Sequence, residues 1–185
     1  MSVEVAKWAF TSDEYHRMLR AGILSEDDRV ELIQGEIIKM SPIGSRHAAC
    51  VKRLNSILSK RLDRVVISVQ DPVALNDYSE PQPDIALLKP RDDFYAGSLP
   101  TADDVLLIIE VADASLEYDG TVKLALYAES RIPEAWLAAL PGDLVEAHSN
   151  PINGTYRDVR RLKRGDSISA LNVPELSVTV DEILG

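Results

Sequence analysis

Three ionisable residues are set into segments that otherwise have the composition of a protein interior. Asp84 follows Glu80-Pro81-Gln82-Pro83 and heads the apolar run Ile85-Ala86-Leu87-Leu88. Glu110 interrupts the run from Val105 to Ala112, and Lys123 lies within Val122-Lys123-Leu124-Ala125-Leu126-Tyr127. A buried charge costs several kcal/mol unless it is paired or holds a metal. Two acids and a lysine placed this way point to a site. Carboxylates brought together on neighbouring strands repel each other unless a divalent cation neutralises them. Hard oxygen ligands in a small cluster suit Mg²⁺ or Mn²⁺, which keep several waters and bind phosphate oxygens. Such an ion can polarise a phosphodiester and orient a water. Lys123 would then pair with Glu110 and place positive charge near the phosphorus, with the backbone carbonyl of Val111 as a further ligand. The competing reading is a structural ion pair, Glu110 with Lys123, and Asp84 capping a turn.

The elements that must position these residues can be read from spacing. Thr11 followed by Glu14 is a capping-box pattern and predicts a short helix from about Ser12 to Ala21. Val30 to Met40 reads as a hairpin around Gln34-Gly35. Ala48, Val51, Leu54, Ile57, Leu58 and Leu62 follow a 3.6-residue period and predict the longest helix, Ser45 to Arg64. Strands are expected at Val65 to Val69, after Asp84, and from Val105 to Ala112. The last two are apolar on both faces, as central strands covered by helices should be. Arg91 to Asp104 reads as a polar loop. A helix from about Tyr118 to Ser130 should stop before Pro133. Strands follow at Ala135 to Leu140, Leu144 to His148 and Tyr156 to Leu162, with a turn at Asn150 to Gly154, and Pro174 to Leu184 closes with a strand and a helical turn. With no internal repeat or linker, residues 1–185 read as one α/β domain.

Composition narrows the function classes. A hydrophobic share of 45% with 27% charged residues is that of a soluble globular chain. No run approaches the ~18 apolar residues that would cross a bilayer, and Met1 to Trp8 lacks a basic region followed by an apolar one, so a cytoplasmic protein is expected. The one cysteine, Cys50, falls on an apolar helical phase and reads as a buried, inert thiol. A net charge of −10 opposes long-range attraction to a phosphate backbone. Two basic clusters, Arg46 to Arg64 and Arg157 to Arg164, could form local positive faces or be solvated charges.

Five stretches together resemble the large bacterial family of Uma-two-type putative restriction endonucleases. They are Glu80-Pro81-Gln82-Pro83-Asp84, Ile109-Glu110-Val111-Ala112-Asp113, Asp119, Val122 to Ala128, and Ile132-Pro133-Glu134-Ala135-Trp136. The N-terminal Val30 to Ile37, Ser41-Pro42 and His47 fit the same pattern, so the resemblance runs from about Phe10 to Leu184. It implies a PD-(D/E)XK nuclease fold, in which a mixed central sheet flanked by helices carries a metal site, here with an N-terminal hairpin. The lysine of the common motif would fall at Ala112; the resemblance implies its migration to the following helix, at Lys123. Leu137-Ala138-Ala139-Leu140 lacks an aspartate usual in the family, which marks a divergent member. The resemblance also implies Glu36 as a further acid at the metal, against a solvated hairpin residue. His47, Gln82 and Tyr127 are accessory candidates, each with a bland alternative on the surface, in a loop or in the core. The function implied is Mg²⁺-dependent cleavage of DNA, with a homodimer suited to cutting two strands. Two other classes stay open: a binding or regulatory module that keeps the fold without turnover, and a two-carboxylate glycosidase, disfavoured by only 5% aromatics.

Overall fold

The computed structural model describes residues 7–113 and 115–185. Most of the N-terminal stretch read above for a leader, residues 1–6, lies outside the described residues. Helix α1 (Ser12–Arg20) opens on the expected capping box, Thr11 accepting from the Glu14 amide and the Glu14 carboxylate accepting from the Thr11 amide. Strands β1 (Val30–Ile33) and β2 (Glu36–Lys39) form the expected hairpin, with Gln34 and Gly35 at φ 50° and 78°. Two successive left-handed residues are the mark of a type I′ turn. A Cβ at Gly35 would also lie 2.7 Å from the Cβ of Ala9, so the position needs glycine twice over.

Helix α2 (Ser45–Arg61) lays Cys50, Val51, Leu54 and Leu58 against one face of a six-stranded sheet. The strands, in spatial order, are β3 (Val66–Ser68), β4 (Ile85–Leu88), β5 (Val105–Ala112), β6 (Glu134–Ala139), β7 (Leu144–Ile152) and β8 (Thr155–Lys163). All neighbours are antiparallel except β5 and β6, so the sheet is mixed. A parallel pair needs a crossover, and the chain from 113 to 133 supplies it. That crossover holds α3 (Leu116–Tyr118), a π-helical turn (Asp119–Lys123) and α4 (Leu124–Glu129). It covers the other face of the sheet, where Leu124, Tyr127 and Ala128 pack with Ile108, Ala112 and Leu137. A short antiparallel pair, β9 (Ser167–Ser169) and β10 (Ser177–Thr179), leads into α5 (Val180–Leu184) beside α2.

Three expectations change. The helix read from Tyr118 to Ser130 is two α segments, Leu116–Tyr118 and Leu124–Glu129, joined by a π turn. The turn read at Asn150 to Gly154 narrows to Asn153-Gly154, because β7 continues through Pro151 to Ile152. β9 had no counterpart in the sequence reading. Among the described residues no helix is long and apolar enough to cross a membrane.

Candidate active site

The register of β4 on β5 pairs Ile85 with Ile109, so the next residues outward, Asp84 and Glu110, stand side by side at the same end of the two strands. Asp84, Glu110 and Lys123 are 7%, 2% and 5% exposed. One oxygen of Asp84 accepts from Gln70 Nε2 at 3.1 Å and lies 2.8 Å from His47 Nε2, at the first turn of α2. Its other oxygen accepts from the Val111 amide at 2.9 Å. The Asp84 amide in turn donates to Glu110 Oε2 at 3.2 Å. The strand ends are thus cross-linked through their own acids.

Glu110 sits on the face of β5 that looks at the crossover. Its Oε1 accepts from the Tyr127 hydroxyl at 2.5 Å and from Lys123 Nζ at 3.3 Å. Lys123 has a second carboxylate, Glu31 of β1, at 3.2 Å. Glu31 is held by the Gln82 amide at 3.1 Å, while the Gln82 side chain donates to the Val30 carbonyl. Asp119, first residue of the π turn, is buried and accepts from the Ser115 hydroxyl at 2.5 Å.

Four buried acids, Glu31, Asp84, Glu110 and Asp119, therefore surround one lysine. The electrostatics record the excess. Burial first, and then the charge of Glu110, pushes Asp84 up to about 7 and Asp119 up to about 7. Burial likewise raises Glu31, against the pull of Lys123. For Lys123 burial works downward, but Glu110, Glu31 and Asp119 outweigh it and hold the ammonium above its usual range. Burial lowers His47 below its ordinary value, against the opposing charges of Asp113 and Glu110.

The cluster forms the floor of a cavity of about 690 Å³, walled by the hairpin, the loop Met40 to Gly44 and the segment from Ser115 to Val122. Among the described residues no three His, Cys, Asp or Glu side chains converge into a ready-made metal cage. A divalent cation that uses one or two carboxylates and keeps its waters would draw on Asp84 and Glu110. An oxygen-only donor set carrying surplus buried negative charge is the chemistry such an ion stabilises.

Of the residues singled out from sequence, Asp84, Glu110, Lys123, His47, Gln82 and Tyr127 are joined in one hydrogen-bonded network. Glu36 is not in it. Its side chain is exposed, pairs with Lys7 at 2.8 Å, and lies outside the cavity lining. Glu31 takes the place at Lys123 instead. Glu31, Gln70 and Asp119 were given no role in the sequence reading. Glu31 carried the same signal as Glu110, an acid inside an apolar strand. Glu134, in the Ile132 to Trp136 stretch, is buried elsewhere, accepting from the Trp136 indole and the Leu171 amide.

The sequence matches the profile of the family described as Uma2, putative restriction endonuclease, over residues 12–181. The chain belongs to this family. Among solved structures, it is similar to a putative nuclease belonging to DUF820 from Anabaena variabilis, with a TM-score of 0.72 at 17% identity. The alignment covers 95% of this chain and 97% of the other. At that identity the likeness is one of fold. Comparison with curated proteins finds no match. For this member of the Uma2 family, the expected mixed sheet flanked by helices is the observed architecture.

Proposed function

We propose that the protein is a Mg²⁺- or Mn²⁺-dependent endonuclease that hydrolyses phosphodiester bonds in DNA. The observation that supports this most is the surplus of buried carboxylates around Lys123 at the floor of an open cavity. A structural ion pair needs one acid for one lysine, and the additional acids raise the cost of burial without stabilising the fold. Asp84 and Glu110 would hold the ion. The Val111 carbonyl would be a third ligand on the same edge, because the amide and carbonyl of one extended residue point to the same side, and its amide faces Asp84. A bound divalent ion would supply Lewis acidity and lower the pKa of a bound water.

The chain's own groups do the rest. His47, Gln70 and the Val111 amide fix the Asp84 carboxylate, and Tyr127 and the Asp84 amide fix Glu110. Such outer contacts orient ligands and set their basicity. Lys123 offers a fixed positive charge to the phosphoryl oxygens as negative charge builds there. Water adds to phosphorus, one P–O ester bond breaks, and the products are a phosphate monoester and an alcohol that takes up a proton. A cytoplasmic homodimer would carry one site per strand. The rival is a binding module of the same fold, favoured by the net charge of −10. Nicking of supercoiled plasmid separates them. We expect Mg²⁺-dependent nicking that EDTA stops and that Asp84→Asn abolishes. Metal-dependent stabilisation without any nicking would leave the binding module.

A further inference from the structure

The outer edge of β8 is the long open border of the six-stranded sheet. The opposite border, β3, is three residues long, whereas β8 runs for nine and pairs with β7 in a single register. Edges of this length are ordinarily covered, bent away by a bulge or interrupted by proline, because their free amides and carbonyls are a template for another strand. β8 has neither bulge nor proline, and Arg157, Asp158, Val159, Arg160 and Arg161 are all exposed. Its guard is charge, and the order of the charges selects a partner.

The turn before β8 decides which backbone groups are free. Asn153 and Gly154, at φ 51° and 72°, form a type I′ turn that closes on the bonded pair Ile152 and Thr155. Bonded and non-bonded pairs alternate along an antiparallel ladder. Thr155, Arg157, Val159 and Arg161 therefore direct their amides and carbonyls to β7, and Tyr156, Asp158, Arg160 and Leu162 direct theirs to the open edge. None of these outward groups has a backbone partner among the described residues.

An antiparallel strand laid on this edge must set outward residues against outward residues. For a second β8 the two-fold axis then falls on one residue. Centred on Arg157, Asp158, Arg160 or Arg161, the axis brings two like charges together. Centred on Val159, which is 46% exposed, it brings two valines together as a non-bonded pair. Asp158 then lies opposite Arg160 of the second copy, twice, and Tyr156 opposite Leu162. Asp158 and Arg160 have no ion-pair partner in their own chain among the described residues. Arg161, which meets Arg157 of the second copy in this register, is already matched by Glu146 at 2.7 Å.

We propose that two copies of the protein pair through β8, antiparallel about a two-fold axis at Val159, and join their sheets into one. This gives an interface to the homodimer of the nuclease reading, but it rests on β8 alone, three strands away from β5 and its Glu110.

The test reads register and charge separately. In a non-bonded antiparallel pair the Cα atoms lie ~4.5 Å apart, within the span of a disulfide. Asp158 lies diagonal to its own counterpart at ~7–8 Å, beyond that span. Under mild oxidation Val159→Cys should form a covalent dimer at least about tenfold faster than Asp158→Cys, and wild type, whose Cys50 is buried, should form none. Sedimentation of the wild-type protein should show a monomer–dimer equilibrium with Kd on the order of 10–100 µM, as suits a small polar interface. Asp158→Arg and Arg160→Asp should each weaken it at least about tenfold, because two attractive pairs become repulsive. Both residues are exposed, so Tm should not change. An equal mixture of the two variants should dimerise at least as tightly as wild type, since the basic pair of one copy then faces the acidic pair of the other. A protein that stays monomeric about tenfold above that range, a dimer indifferent to both charge reversals, or Asp158→Cys cross-linking as fast as Val159→Cys overturns the proposal and leaves the nuclease reading standing. A dimer with the expected charge and register dependence but no plasmid nicking upholds the pairing and removes the nuclease reading.

Discussion

Replacing Asp119 by asparagine should stabilise the metal-free protein, by an amount that grows as the pH rises from 3.8 to about 7 and is constant above it. Asp119 is buried beside Glu110, with Lys123 shared among several acids. Burial, then the charge of Glu110, moves its carboxyl from 3.8 to about 7 in the folded protein. Because the folded pKa is raised, the folded state holds a proton that the unfolded state has lost between those two values. The associated stability is fully present below pH 3.8 and is lost as the pH rises through 7. At about 1.4 kcal/mol per pH unit, full ionisation costs up to about 4 kcal/mol. Residual solvent contact reduces this to about 2–4 kcal/mol. The asparagine side chain carries no charge and still offers an oxygen to the Ser115 hydroxyl. Thermal and urea melts in EDTA should therefore show Asp119→Asn matching wild type near pH 4 and exceeding it by about 2–4 kcal/mol at pH 8. For a chain of this size that is roughly 4–16 °C in Tm. His47 and His148, both lowered by burial, titrate alike in the two proteins and cancel in the difference. A variant no more stable than wild type at pH 8 would refute the surplus of buried negative charge on which the metal site rests.

Lys123→Met removes the ammonium between Glu110 and Glu31 and should cost ~3–5 kcal/mol at pH 8 without metal, while lowering cleavage at least about a hundredfold. Adding Glu31→Gln should recover much of the stability and none of the cleavage; recovered cleavage would make the lysine structural. Tyr127→Phe deletes a hydroxyl bonded to a buried carboxylate. It should cost about 1.5–3 kcal/mol in melts and weaken Mn²⁺ binding by calorimetry by about 10–100-fold; unchanged Mn²⁺ affinity would place Glu110 outside the metal site.

Much of this arrangement was legible in the sequence because apolar runs are long and acids within them are few. The runs after Asp84 and around Glu110 announced central strands, and antiparallel pairing of those strands brings the two acids together. Thr11 and Glu14 fixed the first helix through local hydrogen bonds. What escaped is what tertiary context decides. Pro151 suggested a turn, yet it sits in β7 beyond Ser149, where the pairing with β6 ends, so its missing amide breaks no bond there. Ser167-Ile168-Ser169 is too short and polar to announce a strand, and it pairs only because Ile168 packs into the core. Asp119 lies in a polar stretch, and nothing around it in sequence signals burial. Glu36 and Glu31 show the converse: both lie on the hairpin, and only the strand faces decide which one looks inward.

The position of Lys123 follows from the sheet's one parallel step. Because β6 runs parallel to β5, the chain must leave β5 at the end that carries Glu110 and cross back over the face on which Glu110 lies. The first turns of that crossover necessarily pass above the acid. A regular α-helix there would continue the phase set by α3. Instead the Leu124 amide bonds back to the Asp119 carbonyl, inserting one extra residue at Gly120-Thr121-Val122, where glycine and two β-branched residues are poor helix formers. Asp119 and Lys123, four residues apart and so on one helical face, both point inward while Thr121 stays exposed. Single π turns of this kind recur at functional sites. A separation of thirteen residues from Glu110 to Lys123 thus closes to 3.3 Å in space. From the crossover Lys123 reaches the Glu110 carboxylate on the strand and a second acid, Glu31, which holds the ammonium from the hairpin side.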